Sequence, residues 1–376
     1  MTLREIVVDE IRRHGPMPFS RYMELCLYHP ELGYYSRAQD KFGKAGDFYT
    51  SSDVHAVFGR LLARQFEEMW RVLGSPTRID LVELGPGRGL FACDVLDCVA
   101  RQFPDFARAL RYVLVEQSPI LRERLQQRLA GHLAKGRATI SPTLESAASS
   151  ADTPLILFAN EFFDALPVEI VDHRGAVRVG EQDGKFAEQF VPASPAELEF
   201  LDRYSVHPEP GERVEVSFVA LDWMRRIAAA FESRSGFAVF IDYGYTRDQQ
   251  LAGRHRDTLM TYRHHTASSS PYDAPGEQDI TAHVNFSALQ AVATTEGMDS
   301  LVLLTQSQFL IGIGEATQFA DAFQNCVLPQ ERAKVSLQLR HLVSPEGMGE
   351  TFQVLLLSRG IAKEQAAQLS GLKFNR

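Results

Sequence analysis

"RIDLVELGPGRGLFACDVL", residues 78–96, sets the reading of the whole chain. Ile79 to Glu83 is apolar apart from Asp80 and Glu83 and reads as a strand. It runs into Gly85, Gly87 and Gly89, and a helical pattern follows. A strand, a glycine turn and a helix make a nucleotide-binding corner, and the chemistry depends on which nucleotide it holds. A dinucleotide fingerprint, G-x-G-x-x-G, needs its third glycine at position 90, where this chain has Leu90. It also needs an acid about 20 residues on. Here the acid is later, at Glu116, the end of the next strand "YVLVE". A carboxylate at that place meets the two vicinal hydroxyls of a ribose and repels a 2′-phosphate.

An E-x-G-x-G-x-G corner with a ribose acid on the following strand is the pattern of S-adenosylmethionine binding in class I methyltransferases. That ligand carries no phosphate. Gly85, Gly87 and Gly89 let the backbone come close to it because no Cβ intervenes. Glu83 is placed to meet its ammonium group, directly or through water, and Glu116 its ribose. The plain alternative is that "GPGRG" is only a tight strand-to-helix turn.

Working outward, strands are expected at Ile79–Glu83, Arg111–Glu116, Ala138–Ile140, Pro154–Ala159, Phe237–Ile241, Ser300–Leu304 and Thr351–Leu357. Helices are expected between most of them, at 89–103, 118–134, 142–149, 220–234 and 285–296. Such alternation predicts an α/β fold with a parallel sheet covered on both faces. Before it come a helix over 4–14 (Ile6, Val7, Ile11), a short one capped by Ser20 and running to Leu27, and a longer one over 53–73. The segment 306–350 carries helical stretches at about 315–325 and 328–342. Two insertions interrupt the order: 168–218, with a hairpin turn at Asp183-Gly184, and the long polar stretch 244–284. The expected division is an N-terminal helical cap, 1–75, and a core, 76–376.

The chain has 376 residues, 45% hydrophobic and 23% charged, with a net charge of -9. That balance is globular. Without a basic stripe, nucleic acid is excluded as the main partner. Cys26, Cys93, Cys98 and Cys326 form no CxxC pair and read as small apolar residues in a reducing compartment. No apolar run reaches the ~18 residues a membrane span needs. The first helix is rich in acids, unlike a transit peptide or a secretion signal. A cytoplasmic protein is therefore expected, or a mitochondrial one only if a transit peptide is missing from this chain.

Three further stretches carry a resemblance: "HPELGYYSRAQDKFGKAGDFYTSSDVHAVFG" (29–59), "ANEFFDALPV" (159–168) and "PGEQDITAHVNF" (275–286). With "ELGPGRG" they resemble the MidA-like family of S-adenosylmethionine-dependent methyltransferases. That family includes the mitochondrial assembly factor for respiratory complex I, a protein arginine methyltransferase. The resemblance implies a class I, Rossmann-like seven-stranded methyltransferase sheet with an N-terminal helical addition and long insertions. It also implies a protein substrate presenting an arginine, with a respiratory-complex subunit as one instance. "GDFYTSS" resembles a cofactor-covering loop, with Gly46, Phe48, Thr50 and Ser51 as binding residues and 42–53 as a lid. Two departures are visible: Thr50-Ser51-Ser52-Asp53 replaces a common threonine-serine-proline-glutamate, and Asp257 stands where glycine is usual.

In open parallel sheets ligands bind beyond the carboxyl ends of the strands. Asn160, Glu161 and Asp164 follow the fourth strand and so lie on that edge. Glu161 and Asp164 are three apart, one helical turn, a spacing that would face them the same way. Two carboxylates suit the planar, forked guanidinium, and a carboxylate can take the proton the acceptor nitrogen loses. The alternative is that the pair caps a helix. Tyr262, Gln278, Asp279 and His283, from the long polar stretch, are expected to shape the acceptor pocket. No spacing of ligands indicates a metal. The reading is a methyltransferase acting on a protein arginine. Its rivals are a methyltransferase for another nitrogen or a small molecule, and a non-catalytic assembly protein on the same fold.

Overall fold

Each of the seven apolar runs folds as a strand of one sheet: β1 (Ile79–Leu84), β2 (Leu110–Val115), β3 (Ala138–Ser141), β4 (Leu155–Asn160), β5 (Gly236–Tyr245), β6 (Asp299–Thr305) and β7 (Phe352–Arg359). The computed structural model describes residues 1–36, 56–147, 152–263, 266–268, 270–324 and 326–375. Gly46, Phe48, Thr50, Ser51 and the expected lid lie outside them. The strand order is β6-β7-β5-β4-β1-β2-β3. Strands β1 to β5 are parallel, and β7 runs antiparallel between β5 and β6. The order reverses between β1 and β4, which makes their carboxyl ends the switch point where open sheets bind ligands.

Among the described residues the sheet counts eight strands, the seven expected and one more. Strand β5 continues past Ile241 to Tyr245, and its last two residues pair in parallel with the short strand Val284–Asn285.

The chain divides into two compact units. One comprises Tyr49–Phe162, Arg226–Tyr243 and Ala293–Arg376, and holds β1 to β4, β6, β7 and most of β5. The helix Ala56–Val72 belongs to it, so the break does not fall at residue 75. The reason is packing: the helix buries Val57, Leu61, Leu62, Phe66 and Met69 in the core that β1 and β4 also line. Phe91 stacks on Phe158 at 4.5 Å, and Phe58 and Phe66 close around them at 5.6 Å. The expected helix at 315–325 is instead Gln306–Glu315, opened by a Thr305/Gln308 capping box, and turns follow it. Gln318 and Phe319 have φ of +52° and +58°, which a helix cannot hold.

The other unit gathers Met1–Phe48, Phe163–Arg225 and Gly244–Val292, so the N-terminal segment and both insertions share one core. The helix Leu3–His14 opens with a Thr2/Glu5 capping box and buries Leu3, Val7 and Ile11; Ile6 lies on the flank of that stripe. The second helix is Phe19–Tyr28, capped at Pro18. Ser20 does not cap it, because its hydroxyl donates to Glu169. The strands Met17–Pro18, Gly175–Gln182, Lys185–Val191, Glu169–Asp172 and Arg213–Val216 form one sheet. Met260–Arg263, Thr266–Ser268 and Asp279–Thr281 form another. The Asp183-Gly184 turn has φ of +50° and +73°, as a two-residue hairpin with a primed turn demands. Asp257, at the position where glycine is usual, has φ +56°, a region Asp tolerates better than most residues. Among the described residues no helix is long and apolar enough to cross a membrane, and the four cysteines are free.

Phe158 is fully buried at the centre of the aromatic cluster. Phe158→Ala should cost about 3–5 kcal/mol, read as a lower denaturant midpoint at unchanged m-value. A loss under about 1 kcal/mol would show that the cluster is not the keystone of this unit.

Candidate functional site

The glycine corner needs glycine at all three places. Gly85, Gly87 and Gly89 have φ of +61°, +51° and +73°, the left-handed region that a Cβ disfavours by about 1–2 kcal/mol. A Cβ on Gly85 would stand 3.0 Å from Phe162, and one on Gly89 2.8 Å from Leu125. One on Gly87 would meet nothing within 4 Å, so that face of the turn lets a ligand approach the backbone closely. The turn is tied by Gly85 N–H to the Val115 carbonyl (3.2 Å) and Gly89 N–H to the Pro86 carbonyl (2.8 Å). Gly89 then begins the helix Leu90–Gln102.

The two acids assigned to the cofactor sit differently. Glu83 is buried within β1, and its carboxylate accepts from the Tyr112 hydroxyl at 2.8 Å. Burial pushes its pKa up to about 8, partly opposed by that hydrogen bond. Glu116 is half-buried just past β2, and accepts from the Ser118 N–H at 2.7 Å. Burial raises it to about 7, against the pull of the Ser118 amide and Arg122. Each carboxyl thus stands in surroundings that favour a cationic or hydroxyl-bearing neighbour.

At the end of β4 the backbone is strained. Glu161 has φ +49°, rare for a long side chain. Its N–H donates to the Ile241 carbonyl at 2.9 Å, and the next N–H, Phe162, donates to the Asp242 carboxylate at 3.1 Å. Asp242 is buried, and its other oxygen accepts from Tyr243 N–H at 2.9 Å. The Asn160 amide donates to Glu161 Oε1 at 3.0 Å. No helix follows; 161–166 are bends and turns. The one-turn spacing expected to align Glu161 with Asp164 therefore does not exist, and neither does the helix they would have capped. The boundary between the units falls at Phe162/Phe163, which puts Asp164 with the other unit.

In that unit Asp164 is buried, and its carbonyl accepts from Ala282 N–H at 2.9 Å. Tyr262 and Asp279 are register partners in the three-stranded sheet. Asp279 accepts from the Tyr35 hydroxyl at 2.9 Å and from Ile280 N–H at 3.0 Å. Asp164 and Asp279 both raise the pKa of Tyr262, after burial. Gln278 is buried and donates to the Ser270 carbonyl at 3.0 Å. His283 is drawn elsewhere: its N–H donates to Thr258 at 3.1 Å, and its ring lies 3.3 Å, Nδ1 to Nδ1, from His255. Burial and His255 lower its pKa to about 4, so the ring is neutral. It lines a cleft with Phe163, Glu215, Tyr245 and Asn285.

Sequence reading assigned no role to Tyr112, Tyr35 or His255. Tyr35 lies inside the quoted stretch "ELGYYS", and its doubled tyrosine was the available signal. The other two depend on pairing that only the fold supplies.

The sheet order and the glycine corner at its switch point define a class I methyltransferase. Residues 61–304 match the family described as "Putative S-adenosyl-L-methionine-dependent methyltransferase", and the chain belongs to that family. Its fold also matches a protein from Burkholderia thailandensis crystallised with S-adenosyl-homocysteine: TM-score 0.81, 28% identity, 99% of this chain and 94% of that one. Two curated relatives are the Drosophila melanogaster "Protein arginine methyltransferase NDUFAF7 homolog, mitochondrial" (29% identical, 92% of this chain, 82% of the relative) and its Xenopus tropicalis counterpart (30%, 82% and 74%). The protein is an S-adenosylmethionine-dependent methyltransferase. The open face at Gly87 and the two strand-end acids fit that cofactor, which when bound supplies a methyl group on a sulfonium.

Two outcomes follow. Glu83 holds a proton up to about pH 8 in the folded chain but only to about 4.3 when unfolded. Its contribution to stability is complete below the lower value and is lost as pH rises through the higher. Glu83→Gln removes this dependence, so the wild-type melting midpoint should fall relative to the variant between pH 5 and 8. Parallel pH curves for the two proteins would refute it. Separately, Glu116→Ala should weaken S-adenosyl-homocysteine binding by tenfold or more in calorimetry, since a hydrogen bond to a charged group contributes about 1.5–3 kcal/mol. Unchanged affinity would remove Glu116 from the cofactor site.

Proposed function

We propose that the methyl acceptor is the guanidinium of an arginine in a protein, with Glu161, Asn160 and Asp164 as the catalytic residues. The supporting observation is the locked turn after β4: Glu161 at φ +49°, held by Ile241 and, through Phe162, by Asp242. A non-glycine residue in this region costs of order 1–3 kcal/mol and persists where its surroundings over-determine it, a pattern concentrated at active sites. The names of the Drosophila, Xenopus and human relatives, all protein arginine methyltransferases, support the same acceptor.

The chemistry asks for what Glu161 offers. A guanidinium keeps its proton to about pH 12.5–13.8 in water. As its nitrogen lone pair forms the new N–C bond, the C–S bond breaks, its electron pair stays on sulfur, and the nitrogen must shed a proton. Glu161 takes that proton, and the Asn160 amide on Oε1 fixes the direction of the carboxylate. Asp164 contributes negative charge to hold the acceptor. Orientation and exclusion of water supply the rest, since an in-line displacement from a sulfonium needs no metal. A cytoplasmic site of action belongs to the same proposal, although the relatives are named mitochondrial; cell fractionation distinguishes the two. A respiratory-complex subunit is the first protein acceptor to test.

Glu161→Gln keeps shape and removes charge. It should leave S-adenosyl-homocysteine affinity unchanged and lower methylation by about 10²-fold or more, followed with labelled donor and protein extract. Mass spectrometry should place the methyl on arginine. Full activity in the variant excludes Glu161 as the base, and a methyl on lysine or glutamine excludes the arginine reading.

A further inference from the structure

Tyr35 belongs to the N-terminal segment, at a position so far assigned no role. It follows the helix Phe19–Tyr28 in a short helical turn, Tyr34–Ser36. Its hydroxyl donates to Asp279 Oδ1 at 2.9 Å. Its ring lies 5.5 Å from that of Tyr28 and 5.2 Å from that of Tyr34. Tyr28 is itself anchored, its hydroxyl donating to the Ala165 carbonyl at 2.9 Å, one residue beyond Asp164. After burial, the groups that act most strongly on Tyr35 are Asp279, Tyr28, Asp164 and Tyr34. Asp164 and Asp279 also act on Tyr262. Two buried carboxylates and several tyrosine rings, brought together from four separate segments, thus share one neighbourhood.

This arrangement discriminates by shape as well as charge. A guanidinium is planar, weakly hydrated and stacks on aromatic faces, while its N–H fork needs a carboxylate held in one orientation. An ammonium is a compact, strongly hydrated point charge that gains less from either feature. Asp279 has its orientation set twice, by its own strand through Ile280 N–H and from outside the strand by Tyr35.

We infer that Tyr35 is a positioning residue of the acceptor site: its hydroxyl holds the Asp279 carboxylate in the orientation that receives a guanidinium rather than an ammonium. The inference rests on the arginine reading of the preceding section. It extends the site to the N-terminal segment, whose contribution there is a hydrogen bond to the acid that recognises the acceptor.

The test uses two small dications of similar length on the full chain saturated with S-adenosyl-homocysteine: agmatine, with an ammonium at one end and a guanidinium at the other, and cadaverine, with an ammonium at both. Binding is measured by ligand-observed NMR titration. Wild type should bind agmatine more tightly than cadaverine. Tyr35→Phe, which keeps the ring, should weaken agmatine about fivefold or more and narrow the discrimination, with unchanged melting midpoint and unchanged S-adenosyl-homocysteine affinity. Asp279→Asn should weaken agmatine too, and the double variant should lose less than the two losses combined, the mark of groups acting together. Agmatine affinity and discrimination unchanged in Tyr35→Phe, or fully additive losses, overturn the inference while the arginine reading stands. Wild type that fails to bind agmatine, or prefers cadaverine, overturns both. A Tyr35→Phe protein that loses agmatine, cadaverine and S-adenosyl-homocysteine together, with a lowered melting midpoint, shows a structural role only and also overturns it.

Discussion

Four residues at the carboxyl ends of β1 and β4, namely Gly85, Gly87, Gly89 and Glu161, hold φ between +49° and +73°. At these two strand ends the chain reverses through left-handed backbone, and each reversal must be held by something. At β1 the chain uses glycine, which carries no Cβ to oppose it. At β4 it uses a glutamate and holds it with neighbours: the Ile241 carbonyl, and the Asp242 carboxylate on the next amide. The two solutions divide the labour of the edge. At β1 the side chain is dispensed with, and at β4 it is kept and the turn is held from β5.

The same edge explains the electrostatics. Glu83 and Glu116, and in the other unit Glu215, are all raised in pKa, mainly by burial. Glu215 is nonetheless fully engaged, accepting from Thr258 N–H, the Thr258 hydroxyl and Leu259 N–H at 2.8, 3.0 and 3.2 Å. Its role is architectural, fixing the segment that follows Asp257. Glu83 has the Tyr112 hydroxyl as its hydrogen-bond partner at 2.8 Å. A buried carboxyl raised in this way is drawn back toward ionisation by a cation arriving nearby.

The strands were legible because each is an apolar run punctuated by glycine, proline or charge, and such runs depend on nothing distant. The helix Ala56–Val72 was legible for the same reason. What the residues could not convey was long-range. Ser20 looks like a cap until Glu169 takes its hydroxyl. Glu161 and Asp164 look like one helical turn until β5 imposes a left-handed residue between strand and turn. The oddity at Asp257 was visible as a departure, but its sense, a left-handed position filled by a tolerant side chain, needed the backbone. The strand, glycine turn and helix of the corner are local, and they fold where the sequence places them. Pairings such as Tyr35 with Asp279 and His255 with His283 join separated segments, and nothing local announces them.

The place of β7 bears on how the protein is made. It is the last of the described strands in sequence, yet it sits between β5 and β6, and among the described residues β6 has no other partner in the sheet. On the ribosome, β6 therefore emerges with nothing to pair against, and β5 waits with one edge of its ladder bare. Both are completed in one event, when Phe352–Arg359 leaves the exit tunnel and slides between them. Until that moment the nascent sheet carries an open apolar edge, the kind of surface on which a chaperone acts or two unfinished chains adhere.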